Sequence, residues 1–169
     1  SGIAHAGYAL VGLVAGTREG GAGLGVYLAA YTLMNVGAFA VLIALGRRGE
    51  PCETLDDMAG MGFRHPILGV AMTVFMLSLA GMPPTVGFAG KLALFSAAVD
   101  AGYVGLAIIG VLNSVVSVYY YFGVLVQMYM ADGTREIVPL GRRPALYATI
   151  VVAMVLVLAY GLDPTSLLA

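Results

Sequence analysis

One segment limits what this chain can become: "PILGVAMTVFMLSLAGMPPTVGFAGKLALFSAAV", residues 66–99, with a single charge, Lys91, in thirty-four positions. A bilayer's hydrocarbon core of about 30 Å takes roughly 20 helical residues. As one straight helix the segment would reach about 51 Å at 1.5 Å per residue, and the adjacent Pro83 and Pro84 interrupt it near the middle. Each proline lacks an N–H and costs about 3 kcal/mol inside a helix. Backbone left unpaired in hydrocarbon is not tolerated, so a break at that depth must be lined by protein or water. Composition agrees with a membrane solvent: 60% of residues are hydrophobic and 10% charged, against about 25% charged in soluble domains, and the mean hydropathy is +0.95.

The pattern predicts an all-α, polytopic transmembrane helix bundle in a single domain over 1–169. It has about five spans, at 3–16, 24–46, 66–99 (broken near 83–85), 103–130 and 144–161. The glycine-rich "REGGAGLG" reads as the connector between the first two. The positive-inside rule weighs Lys and Arg near span ends. If 66–99 crosses once, Arg47, Arg48, Arg64, Arg135, Arg142 and Arg143 share one side and Arg18 stands alone on the other; if it crosses twice, the split is three against four. The six-to-one arrangement favours one discontinuous helix, with the loops around 47–65 and 131–143 cytoplasmic. The chain opens on Ser1 directly into apolar sequence without the layout of a signal peptide, and we read this start as a cut end of something longer.

Lys91, the only lysine, lies shortly after the break. Placing a lysine at mid-membrane costs roughly 2.5–3.5 kcal/mol on insertion scales, and transporters use such helix breaks at mid-membrane binding sites. A proton relay is one reading of Lys91; snorkelling to an interface or a static ion pair is the bland one. His5, three residues before Tyr8, is either a packing residue or part of a polar path. Asn35, Asn113, Ser114 and Ser117 read as interhelical glue, or as the lining of a water path. Tyr119, Tyr120 and Tyr121 read as an interfacial aromatic belt. Asp56 and Asp57 read as solvated loop charges or a helix cap.

Other chemistries find no footing. One cysteine, Cys52, and two histidines, His5 and His65, are too few for a metal cluster, and a net charge of −1 gives no field for nucleic acid. Dinucleotide, P-loop, CxxC and HExxH motifs are absent. No cofactor or metal site is expected in this chain.

Four stretches, "SGIAHAGY", "YLAAYTLMNVGAFAV", "HPILGVAMTVFMLSLAGMPPTVGFAGKLALFSAAV" and "GVLNSVVSVYYY", closely resemble the antiporter-like subunit N family of proton-pumping NADH:quinone oxidoreductase, respiratory complex I, whose mitochondrial counterpart is NADH dehydrogenase subunit 2. The likeness runs from Ser1 to about Met130 and is most specific in "LSLAGMPPTVGFAGK". It implies that these five spans form the second of two inverted five-helix repeats, each with one broken helix. It implies that Lys91 is the lysine that hands protons towards the exit side, with the break at Pro83, Pro84 and Gly87. Tyr31, Asn35 and His5 are weaker candidates for a hydrated axis. The family's essential glutamate and its other channel lysines belong to a first repeat that would come from another stretch of chain. NADH, flavin, iron–sulfur clusters and quinone are implied only elsewhere in such a complex. The implied partners are other membrane-arm subunits in a bacterial inner or equivalent energy-transducing membrane. Two departures stand out: Ser1-Gly2 where the family usually reads Ser-Ser, and Gly123 where it often has arginine. The alternatives are a subunit of a cation/proton antiporter or membrane-bound hydrogenase, and a purely structural membrane scaffold.

Overall fold

The computed structural model describes residues 1–46, 52, 54–133 and 143–163. These form α1 (Gly2–Ala15), α2 (Arg18–Leu45), a 3-10 turn (Asp56–Met58), α3 (Met61–Arg64), α4 (Pro66–Ala80), α5 (Val86–Asp100), α6 (Val104–Met130) and α7 (Pro144–Leu162). The protein is an all-helical membrane bundle. By length and hydropathy α2, α6 and α7 can each cross a bilayer alone, and Asp56–Arg64 with Pro66–Ala80, bent by 116°, makes a fourth crossing if that pair is one span. The fourteen residues of α1 and the fifteen each of α4 and α5 extend only about 21–23 Å. Each of these falls short of the hydrocarbon core by itself.

Helix α2 is the hub and packs on α1, α4, α5 and α7. It can do so because its inward face is small: Gly20, Gly23, Ala30, Gly37, Ala38, Ala40 and Ala44 are buried. Small residues let backbones approach where lipid supplies no hydrophobic drive. Around them lie Met34, Phe75, Met72, Leu79, Val86, Ile150 and Val157, all nearly inaccessible. The outward faces are apolar, as α6 shows with Ile109, Leu112, Val115 and Val116 exposed.

The connector between the first two helices is shorter than hydropathy suggests. Helix α2 starts at Arg18, so the glycine-rich stretch read as a linker is helical. Thr17 caps it by accepting from Gly20 N at 3.0 Å. A glycine weakens a helix by about 1 kcal/mol, yet here the missing side chains are what permits packing. A Cβ on Gly20 would stand 2.7 Å from Gly12 O, and one on Gly23 would touch Ala93.

Helix α6 follows α5 after the short turn at Ala101–Tyr103. Its far end meets the 3-10 turn and α3, which lead into α4: Gly60 N donates to Gln127 O, Gln127 Nε2 to Asp56 Oδ1 at 3.1 Å, and the Arg64 guanidinium to Gly133 O. Asp57 Oδ2 accepts from both the N–H and the hydroxyl of Thr54. The two aspartates therefore fasten the loop instead of only facing solvent. Of the orienting arginines, Arg47, Arg48, Arg135 and Arg142 lie outside the described residues.

Candidate functional site at the helix break

Five residues, Gly81–Thr85, separate α4 from α5. Gly81 ends α4 in the left-handed conformation, φ 86°, which glycine adopts without a Cβ penalty. Its N–H donates to Leu77 O and Ser78 O, and Met82 N also donates to Leu77 O. Helix geometry leaves the last four carbonyls without partners from within the helix. This turn satisfies two of them and leaves those of Leu79 and Ala80.

Lys91 takes both. Its Nζ donates to Leu79 O at 3.1 Å, to Ala80 O at 3.0 Å and to Ser114 Oγ at 2.8 Å. It also stands 4.9 Å from the centre of the Tyr8 ring. An ammonium has three donors and here three acceptors. The side chain is 4% exposed, so it does not snorkel, and among the described residues its acceptors are all neutral. The charge is met by the negative end of the α4 dipole and by an aromatic face. The Ser114 hydroxyl in turn lies 3.4 Å from Ala80 O, and Ser117 Oγ donates to Ser114 O at 2.6 Å.

The start of α5 is pinned to the end of α4. Gly87 N donates to Ser78 Oγ at 3.2 Å, and Ser78 Oγ donates to Met34 Sδ. A Cβ on Gly87 would fall 1.9 Å from Ser78 O, so only glycine permits this approach. Pro83 and Pro84 are exposed, and the peptide between them is cis. A cavity of about 280 Å³ reaches Lys91 and Ser114 between Met82, Phe88, Phe95 and Val115.

His5 belongs to a second polar cluster. Its Nε2 lies 2.8 Å from Tyr121 Oη and its Nδ1 2.6 Å from Tyr27 Oη. Its ring stacks on Tyr31 at 4.4 Å. Either tautomer of a neutral ring satisfies both contacts, one as donor and one as acceptor. Tyr8 stands between the clusters, with its ring edge-on to His5 at 5.7 Å and its hydroxyl accepting from Asn113 Nδ2 at 3.0 Å. No hydrogen bond between the described residues joins Lys91 to His5. Asn35 joins neither cluster: its Nδ2 donates to Tyr31 O within its own helix, and its side chain lines a separate cavity of about 260 Å³ beside Tyr121. Among the described residues no three His, Cys, Asp or Glu side chains converge as metal ligands.

Ser114 and Asn113, expected as interhelical glue or the lining of a water path, bond to Lys91 and Tyr8, while two tyrosines hold positions the sequence does not signal by composition. Tyr121 is not part of an interfacial belt; it is 4% exposed and holds His5, whereas Tyr119 is 86% exposed. Tyr27 escaped notice, although Tyr27, Tyr31 and Asn35 recur every four residues along one side of α2. Ser114, Ser117 and Tyr121 form a similar polar stripe on α6. Helical spacing was the available signal.

A polytopic helical bundle with a buried lysine seated on the carbonyls of an interrupted helix is the class that fold and site define; it is an integral membrane protein. Residues 1–117 match the family described as NADH:quinone oxidoreductase/Mrp antiporter, TM, and the chain belongs to that family. It is 60% identical over 136 residues to NADH-quinone oxidoreductase subunit N of Trichlorobacter lovleyi, covering 80% of this chain and 28% of that protein. It is 50% identical over 165 residues to subunit N 1 of Herpetosiphon aurantiacus, covering 97% of this chain and 34% of the relative. The chain thus spans about a third of the length of the curated relatives it matches. Among solved structures it superposes on a chain of respiratory complex I from Thermus thermophilus with bound aureothin. The TM-score is 0.82 and the identity 37%, over 97% of this chain and 36% of that one. A chain of the Mrp complex from Dietzia sp. DQ12-45-1b gives a TM-score of 0.81 at 24% identity, over 95% of this chain and 38% of the other; that likeness speaks for the fold alone.

Proposed function

We propose that this chain is part of a membrane-arm subunit of an NADH:quinone oxidoreductase and that it moves protons across the membrane, with Lys91 as a relay. The observation that carries the reading is the seat of the Lys91 ammonium on Leu79 O, Ala80 O and Ser114 Oγ at the break, in a chain 50–60% identical to subunit N relatives. A charge balanced by dipoles instead of a fixed carboxylate depends on how far apart the two half-helices stand. Separating them removes the acceptors and releases the proton; closing them restores the site. Helices α4 and α5 act as one discontinuous crossing, a fourth beside α2, α6 and α7; counting the shorter apolar helix α1 as a further span makes five. Two observations favour this over a hairpin: α6 begins beside the end of α5, and its far end bonds to the 3-10 turn and Gly60, in the segment that leads into α4.

The remaining machinery lies in other chains or another stretch of this subunit. NADH oxidation, flavin, iron–sulfur clusters and quinone reduction belong to the rest of the complex. The first-repeat helices and neighbouring membrane-arm subunits complete the proton path in an energy-transducing membrane. His5 and Tyr31 lie beside this path through Tyr8. The test is Lys91→Met in the full subunit and assembled complex, with ΔpH followed in reconstituted vesicles. Pumping should fall severely while the complex content stays near normal. A variant that assembles and pumps like the parent would make the chain a scaffold.

A further inference from the structure

We propose that Gly161, near the end of α7, is a positioning residue that sets where the break lies and thereby how Lys91 meets its carbonyls. This rests on the relay reading of Lys91. Helix α7 carries no polar side chain into either cluster. Its buried face is Ile150, Ala153 and Val157, and Gly161 continues that face one turn on. There the helix meets backbone: a Cβ on Gly161 would stand 2.4 Å from Pro84 O, 2.4 Å from Thr85 Cα and 2.5 Å from Thr85 C. No side-chain rotation can relieve contacts with main-chain atoms. Any residue larger than glycine must therefore displace the break or the helix.

The displacement would travel both ways. Towards α4, Thr85 Oγ1 donates to Met82 O at 2.6 Å, and Met82 N donates to Leu77 O in the turn whose remaining carbonyls hold Lys91. Towards α5, Thr85 O accepts from Phe88 N and Ala89 N, opening the helix that carries Lys91 two turns later. The donor and two of its three acceptors are thus linked through the backbone that rests on Gly161. Movement of α7 against the bundle is coupled by the same contact to the lysine's seat.

The experiment is a double-mutant cycle in the full subunit and assembled complex, using Gly161→Ala and Ser114→Ala, with the proton-pumping rate read per assembled complex. Gly161→Ala should lower the rate by roughly ten-fold, since a misplacement of about 1 Å can cost on the order of a hundred-fold. If both residues act on the seat of Lys91, the double variant will be little worse than the worse single one; independent effects would multiply. Multiplying effects would overturn the inference, as would a Gly161→Ala complex that pumps normally. Ala153→Val, a buried change on the same face away from the break, is the packing control. An assembly defect in Gly161→Ala as deep as in Ala153→Val would reduce Gly161 to a packing residue and overturn the inference too. Lys91→Met is run alongside: normal pumping there defeats the relay reading itself, whereas an inactive Lys91→Met with a multiplicative cycle defeats only the role of Gly161.

Discussion

Lys91 and His5 are both buried polar groups in an apolar bundle, yet they are satisfied in opposite ways. Lys91 is met mainly by backbone. A helix that stops at Gly81 frees two carbonyls, and the residue that takes them lies eleven and twelve positions further along the chain. His5 is met entirely by side chains, Tyr27 from α2 and Tyr121 from α6, 22 and 116 positions away. A polar site made by breaking a helix needs few other residues and can change when the half-helices move. One made by side chains from three helices joins them and resists movement. On the proposed relay reading, the lysine would be the moving part and the histidine cluster a fastener beside it.

The contrast can be broken or sharpened by substitution. The largest effect belongs to Lys91→Met, which removes the proposed relay and should abolish most pumping at near-normal assembly. Next comes His5→Phe, which keeps an aromatic ring but takes from the Tyr27 hydroxyl its bond to Nδ1 and from the Tyr121 hydroxyl one of its partners. A buried hydroxyl left without its partner costs roughly 1–3 kcal/mol, so the purified complex should unfold at lower temperature in detergent while pumping per assembled complex changes little. A collapse of pumping as deep as in Lys91→Met would erase the distinction between fastener and relay. Tyr121→Phe removes one of those two bonds, and about 1 kcal/mol of stability should go with it, measurable by the same thermal assay. If it proved silent, Tyr121 would be filling space and not holding His5. The smallest effect is expected from Asn35→Ala. Its hydrogen bond runs to its own helix four residues back, so both stability and pumping should stay near those of the parent. A strong pumping defect would place Asn35 on the proton path after all.

Much of this was legible in the sequence because it is local. Runs of uncharged residues long enough for a bilayer mark membrane helices, since backbone in hydrocarbon must pair within the segment. Pro83 and Pro84 mark the interruption, since neither can donate to the helix. The solitary Lys91 marks the site by its cost in such surroundings. The helical start of α2 was not legible. Its glycines argue against helix until Gly12 and Ala93 are brought against them, and propensity then yields to packing. Tyr121 was misplaced for a related reason: three consecutive tyrosines look alike in sequence, and only the rotation of α6 turns one inward to His5 and leaves Tyr119 outside.

The sequence by itself determined that this is a membrane bundle with one interrupted helix and a lone cation beside the interruption. Both follow from rules acting within about twenty residues: hydrogen bonding along the segment, and the cost of charge in hydrocarbon. Only the tertiary structure decided what that cation touches. Ser114 is 23 residues away from Lys91 in the chain and Tyr8 precedes it by most of the bundle. No local rule brings them together; the packing of α1, α5 and α6 does. It is also packing that rests the break on Gly161, because the fit of one backbone against another depends on all the helices between them.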